Sequence, residues 1–149
     1  MKKTIIIIKI FLVYFFLTSH GVTKESNYLK RGIELFQKEE FEKSKILFEQ
    51  SIVFDPKNEK SYLYLAKIFN NNNKSDEQEV NLNSVLLLNP SNDEAIYMLA
   101  MLKIEQSDYN RAKELLDKFV LVCESFCLKK KEIQEKLEKM NPENAKNNN

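Results

Sequence analysis

The chain has 149 residues, of which 43% are hydrophobic and 30% charged, material for a buried core and against disorder along its whole length. Two glycines and three prolines leave too little turn chemistry for a β-sandwich, a barrel or a glycine-rich phosphate loop. Lys and Arg number 23 against 22 Asp and Glu, a net charge of +1 that points no field at nucleic acid. A single histidine, His20, argues against a histidine-based triad or a multi-histidine metal site.

Met1-Lys2-Lys3 is a short basic start, and the apolar run from Thr4 to Leu17 that follows is broken only by Lys9. Ser19 and Gly21 then supply small residues, so residues 1–21 read as a signal peptide cleaved before Val22. As a helix the run would be about 21 Å long, short of the roughly 30 Å hydrocarbon core, which favours a cleaved signal over a membrane anchor. The anchor is the alternative, and membrane contact is expected only through it. No cysteine follows the run, so a lipoprotein is not expected. Cleavage would remove Lys2, Lys3, Lys9 and His20, leaving 20 basic against 22 acidic residues and no histidine. The expected location is the periplasm or cell envelope, or outside the cell.

A 34-residue period runs through the rest of the chain. Gly32 is followed by Ala66 and Ala100, Tyr28 by Tyr62 and Ile96, and Phe48 by Leu82 and Leu116. Ile52 is followed by Leu86 and Val120, and Phe54 by Leu88 and Val122. The turn pairs Asp55-Pro56 and Asn89-Pro90 keep the same spacing, while Phe41 and Tyr109 stand two periods apart.

These residues resemble the tetratricopeptide repeat (TPR), a helix–turn–helix unit with aromatic, small and proline positions in a set order. The units are 25–58, 59–92 and 93–126, within a TPR-like domain of residues 25–140. The resemblance implies an all-α fold, an antiparallel helix-hairpin solenoid of three repeats. Gly32, Ala66 and Ala100 fall where the two helices of a hairpin approach each other. Phe48, Leu82 and Leu116 fall where one hairpin meets the next. Ser75-x-x-Gln78 and Ser91-x-x-Glu94 read as capping boxes. Residues 128–140 read as a capping helix with Leu128, Ile133 and Leu137 on its apolar side, its Lys129-Lys130-Lys131 run facing solvent. Residues 141–149 read as a disordered tail.

The chain departs from the repeat pattern in places. Arg31 stands where the other units have Leu65 and Leu99, Gln78 replaces a small residue, and Phe119 is large where Ser51 is small. The tract Asn70-Asn71-Asn72-Asn73 predicts a loose turn, making the second repeat the least regular. The third unit has Glu124 in place of its closing proline.

Cys123 and Cys127 are the two cysteines of the chain. In a continuous helix their Cβ atoms would be about 5–6 Å apart, too far for a relaxed disulfide. The repeat alignment instead places Cys-Glu-Ser-Phe-Cys in a turn, and an exported protein meets an oxidising compartment, so a structural disulfide is expected. Two buried thiols are the alternative; a catalytic redox pair fits less well because the spacing is not Cys-x-x-Cys. Serines and carboxylates are plentiful, but pairs such as Glu39-Glu40 and Asp76-Glu77 lie at helix ends, where acids favour an amino terminus or keep a surface wet. No catalytic residue, metal site or cofactor is expected.

In the TPR family the first helix of each hairpin lines a concave groove that holds a peptide or a partner helix. Carried over, that groove would present Leu29, Ile33 and Phe36, then Leu63, Lys67 and Asn70, then Tyr97, Met101 and Ile104. The positions that clamp a terminal carboxylate in part of the family hold Leu29, Ile33, Tyr64, Glu94 and Met98 here, so no such clamp is expected. An apolar groove suits a hydrophobic peptide or amphipathic helix. The expected function is a non-catalytic protein–protein interaction module of the cell envelope, an adaptor or assembly factor. The alternatives are a membrane-anchored, self-associating structural protein and a small redox or chaperone-like enzyme using Cys123 and Cys127.

Overall fold

The computed structural model of the chain describes residues 22–140, with side chains from Asn27 onward; the expected signal segment 1–21 and tail 141–149 lie outside the described residues. The described residues are all-α. Helices α1 (Val22–Gln37) and α2 (Phe41–Phe54) form one hairpin, α3 (Glu59–Asn71) and α4 (Ser75–Leu88) a second, and α5 (Asp93–Glu105) and α6 (Tyr109–Val122) a third. A 3-10 turn (Cys127–Lys129) leads into α7 (Lys130–Met140). This is the helical-hairpin repeat that the 34-residue period predicts. The chain divides into two compact units, one ending at Pro56 and the other beginning at Lys57.

In the first unit, α1 and α2 meet at Gly32, whose carbonyl accepts a 2.8 Å hydrogen bond from the buried Ser44 hydroxyl. Phe48 is fully buried, with its ring against the place where a Gly32 side chain would be. Tyr28 stacks on Phe54 at 5.3 Å, joining the middle of α1 to the last residue of α2.

The second unit holds a continuous core. Ala66, Leu82, Val85, Ile96, Ala100, Ala112, Phe119 and Ile133 are each fully buried and belong to one cluster. Packing runs α3 on α4, α4 on α5, and α5 on α6, while α7 lies against both α5 and α6. Ile133 of α7 is therefore a core residue, and Leu137 packs beside that core. Leu128 does not share this face; it is 95% exposed. The tight 3-10 turn, with three residues per turn, breaks the helical register that would have aligned it with Ile133.

The three hairpin turns are built alike. Glu39, Asn73 and Ser107, 34 residues apart, each take a left-handed conformation, with φ of 59°, 54° and 62°. The next amide (Glu40, Lys74, Asp108) donates back five residues, to the carbonyl of Leu35, Phe69 and Lys103 respectively. This bond closes the last helical turn in the manner of a Schellman motif. The asparagine tract is accordingly not loose: Asn70 and Asn71 finish α3, and Asn73 takes the left-handed position that asparagine tolerates best.

Helix starts also differ from the expected capping boxes. Ser75 is already inside α4, whose N-cap Lys74 makes no side-chain cap bond. Asn92, not Ser91, caps α5, accepting from the Ala95 amide at 2.9 Å. Asn58 does the same for α3 through Ser61, and Asp108 for α6 through Arg111. Asp93 and Glu94 in the first turn of α5 and Lys103 in its last turn suit the helix dipole.

Candidate functional site

The second unit contains an open cleft of about 210 Å³. Its lining is Asn70 from α3, Gln78 from α4, Tyr97, Met98, Met101, Leu102 and Glu105 from α5, and Glu132 and Lys136 from α7. The spacing 98, 101, 105 is a helical stripe, so one face of α5 forms the floor. Two methionines there give a soft, adaptable apolar surface. Glu105 is exposed at the rim, and Gln78 is nearly buried.

Helix α7 forms one bank, held by contacts to Tyr97. The Phe126 ring lies 6.0 Å from the Tyr97 ring, and the Lys129 ammonium stands 5.4 Å over it. Burial raises the Tyr97 phenol above its ordinary value, and its hydrogen bond to Glu132 adds to the effect. The Glu132 carboxyl is held below its ordinary value by its 2.8 Å bond with Lys129 first, against some desolvation, and by Tyr97.

The approach to α7 is fixed by Asp93. Its Oδ2 accepts from the amides of Glu124, Ser125 and Phe126 at 2.8, 2.7 and 2.9 Å. Desolvation pushes the Asp93 carboxyl up, but these amides and that of Glu94 outweigh it and hold it below the ordinary value. A disulfide joins Cys123 and Cys127 around the same three residues, with Cα atoms 5.2 Å apart. Glu59, one period before Asp93, makes a weaker counterpart, accepting one 3.3 Å bond from the side chain of Asn89 just after α4.

Of the residues expected in the groove, Asn70, Tyr97 and Met101 line this cleft. Leu63 and Ile104 do not; both are buried in the core, Ile104 completely, so neither offers a surface to a partner. The family positions place them on the first helix of the hairpin, but in this chain those helices are apolar on more than one side. Lys67 binds Glu94 at 2.8 Å and lies 4.9 Å over the Tyr64 ring, tying α3 to α5 rather than standing free. Leu29, Ile33 and Phe36 belong to the first unit, where each is half-buried and Phe36 meets Phe41 edge-on at 5.3 Å. Gln78, Met98, Leu102, Glu105, Glu132 and Lys136 also line the cleft, beyond the groove positions the resemblance selects. The spacing of Met98, Met101 and Glu105 carries a signal for three lining residues; the α7 pair depends on how that helix docks.

No group of three or more His, Cys, Asp or Glu side chains among the described residues is arranged to hold a metal ion. No described helix is long and apolar enough to cross a membrane.

No family model matches the sequence, and no curated protein matches it. Solved structures are similar. The second TPR of Spaghetti (RPAP3), bound to HSP90 peptide SRMEEVD, has a TM-score of 0.63 at 19% identity, covering 68% of this chain and 94% of that one. The Yersinia enterocolitica type III secretion chaperone SycD, in complex with a peptide of the translocator YopD, has a TM-score of 0.67 at 12% identity, covering 77% and 90%. The Sgt2 TPR domain from Aspergillus fumigatus has a TM-score of 0.65 at 15% identity, covering 85% and 83%. At these identities the likeness establishes the fold: the chain is built of TPR-like helical hairpins.

Proposed function

We propose that this chain is a non-catalytic protein-interaction module whose second unit holds a segment of a partner protein in the cleft on α5. The carrying observation is the cleft itself, with a floor of half-buried Tyr97, Met98 and Met101 over the buried Leu102, between Asn70 and α7. Flexible apolar side chains under a polar rim suit an extended or helical peptide. Two similar domains, from RPAP3 and SycD, are bound to peptides, which supports this use of the fold.

The charge around the cleft narrows the partner. SRMEEVD is acidic, whereas this cleft carries two carboxylates, Glu105 and Glu132, against one ammonium, Lys136, which acts on Glu132 together with Lys129 and leaves Glu105 to face a partner. The partner segment therefore has apolar side chains for the floor and a lysine or arginine for Glu105. The module acts in the cell envelope or outside the cell as an adaptor or assembly factor. The apolar run of residues 4–17 supports export, and the Cys123–Cys127 disulfide suits an oxidising compartment.

Photo-crosslinking in the native host tests this reading, with the reactive residue at Glu105 on the rim and separately at Asn110 on α6, both exposed. The expected result is an adduct from Glu105 alone, mapped by mass spectrometry to one apolar, basic segment of one partner. Equal adducts from both positions, or none, would overturn it.

A further inference from the structure

We infer that the Cys123–Cys127 disulfide is a redox-operated clasp that keeps α7 over one side of the cleft and releases it on reduction; as a regulation of the cleft, this rests on the binding role proposed above. Three observations converge on the segment between α6 and α7. The disulfide closes a small ring around Glu124, Ser125 and Phe126. The amides of those three residues all point at one carboxylate oxygen of Asp93, the first residue of α5. Phe126 in the ring, with Lys129 and Glu132 beyond it, converges on Tyr97, one helical turn further along α5. The ring is thus pinned at one end of α5, and the geometry it imposes delivers α7 onto the cleft.

Without the ring, the hold on α7 is modest. Its ion pairs, Lys129–Glu132 and Lys131–Glu135, are local to the helix and its lead-in, so its hold on the unit is the fully buried Ile133, the half-buried Leu137 and the Glu132 bond to Tyr97. Surface ion pairs hold a helix weakly, and an eleven-residue helix is marginal on its own in water. Cross-linking removes conformations from the freed segment, so the disulfide favours the docked arrangement. Cys127 is exposed, whereas Cys123 is half-buried, so an incoming thiol reaches Cys127 more readily.

The reductant is a dithiol. Its thiolate attacks Sγ of Cys127, the Cys123–Cys127 bond breaks, and Cys123 leaves as a thiolate that takes up a proton. The second thiol of the reductant then displaces Cys127 from the mixed disulfide. The protein gains two electrons and two protons, and the reductant becomes a disulfide. The contacts to Asp93, Tyr97 and the core then face competition from water without the ring, α7 undocks, and Tyr97 and Met101, half-buried while it is docked, become more exposed to a partner.

Hydrogen exchange of the full chain, oxidised and after dithiothreitol, tests the clasp without needing a ligand. Amides of residues 130–140 are expected to exchange at least tenfold faster in the reduced protein and in Cys127→Ser, while residues 59–88 keep their protection and show that the unit remains folded. Hydroxyl-radical footprinting in the same samples is expected to modify Tyr97 and Met101 at least threefold more after reduction. Unchanged exchange over residues 130–140 would overturn the inference, as would faster exchange with an unchanged footprint at Tyr97. Both thiols alkylating in air-oxidised, unreduced protein would also overturn it. Release of α7 on reduction with no peptide binding in either state would support the clasp and contradict the binding role.

Discussion

Phe48 lies so close against Gly32 that a Cβ built on the glycine would stand 2.7 Å from its Cε1. The second and third repeats carry Ala66 with Leu82 and Ala100 with Leu116 at the same two positions. The first repeat thus trades a methyl on one helix for an aromatic ring on the other. Gly32→Ala improves helix propensity by about 1 kcal/mol but forces the buried ring to move, at a typical cost of 1–3 kcal/mol. We expect a net destabilisation of about 1 kcal/mol for Gly32→Ala in urea unfolding of the full chain. Adding Phe48→Leu should recover part of it, because the pair then matches its counterparts; a double variant no more stable than either single one would contradict this.

Asn92→Ala should destabilise the protein by about 1 kcal/mol, the usual worth of an N-cap, through loss of its bond from the Ala95 amide. Ser91→Ala should cost only a few tenths, since Ser91 bonds only to Asn89 in an exposed turn. Thermal unfolding of the two variants side by side checks the order, which the Ser91-x-x-Glu94 capping box would reverse.

Asp93→Asn should cost about 1–3 kcal/mol at neutral pH, because three amides lose a charged acceptor. The sign with pH is fixed by the depressed carboxyl. The folded value lies below the ordinary 3.8, so the stabilisation is complete above 3.8 and disappears as the pH falls through the folded value. Unfolding free energies of both proteins should therefore converge in acid. A gap that persists undiminished below the folded value would place the effect elsewhere.

Much of this fold can be read from the residues. The 34-residue period locates all three hairpins because small, aromatic and proline positions answer to helix packing and helix ends, which are local demands. The same period also carries finer signals that single motifs obscure. Asn58 and Asn92 are the real caps, one period apart, while the more familiar serine pattern at Ser75 and Ser91 misleads. Glu39, Asn73 and Ser107 share a backbone conformation without sharing a side chain, so residue type alone does not reveal them. The cleft is less legible. Three of its lining residues follow from the family position, but Glu132 and Lys136 enter it through the docking of α7, which depends on the ring at Cys123–Cys127 and on Asp93 31 residues from Glu124. Ile104 and Leu63 mislead for the opposite reason: an apolar residue at a groove position becomes core when neighbouring helices close over it.

The Lys67–Glu94 pair joins α3 to α5 with both side chains about a quarter exposed. A double-mutant cycle with Lys67→Ala and Glu94→Ala should give a coupling of about 0.5–1 kcal/mol that shrinks in high salt. Zero coupling at low salt would mean the pair contributes nothing to holding the two helices together.

The cleft is the centre of this account, and the four methionines, Met1, Met98, Met101 and Met140, make it directly observable. Peptides selected from a random library against the full chain should be apolar and carry a lysine or arginine. Added to protein with labelled methionine methyl groups, they should shift the Met98 and Met101 resonances and leave Met140 in place, and Met101→Asp should weaken their binding at least tenfold. Selected peptides that leave Met98 and Met101 unmoved, or that bind Met101→Asp equally well, would contradict the account.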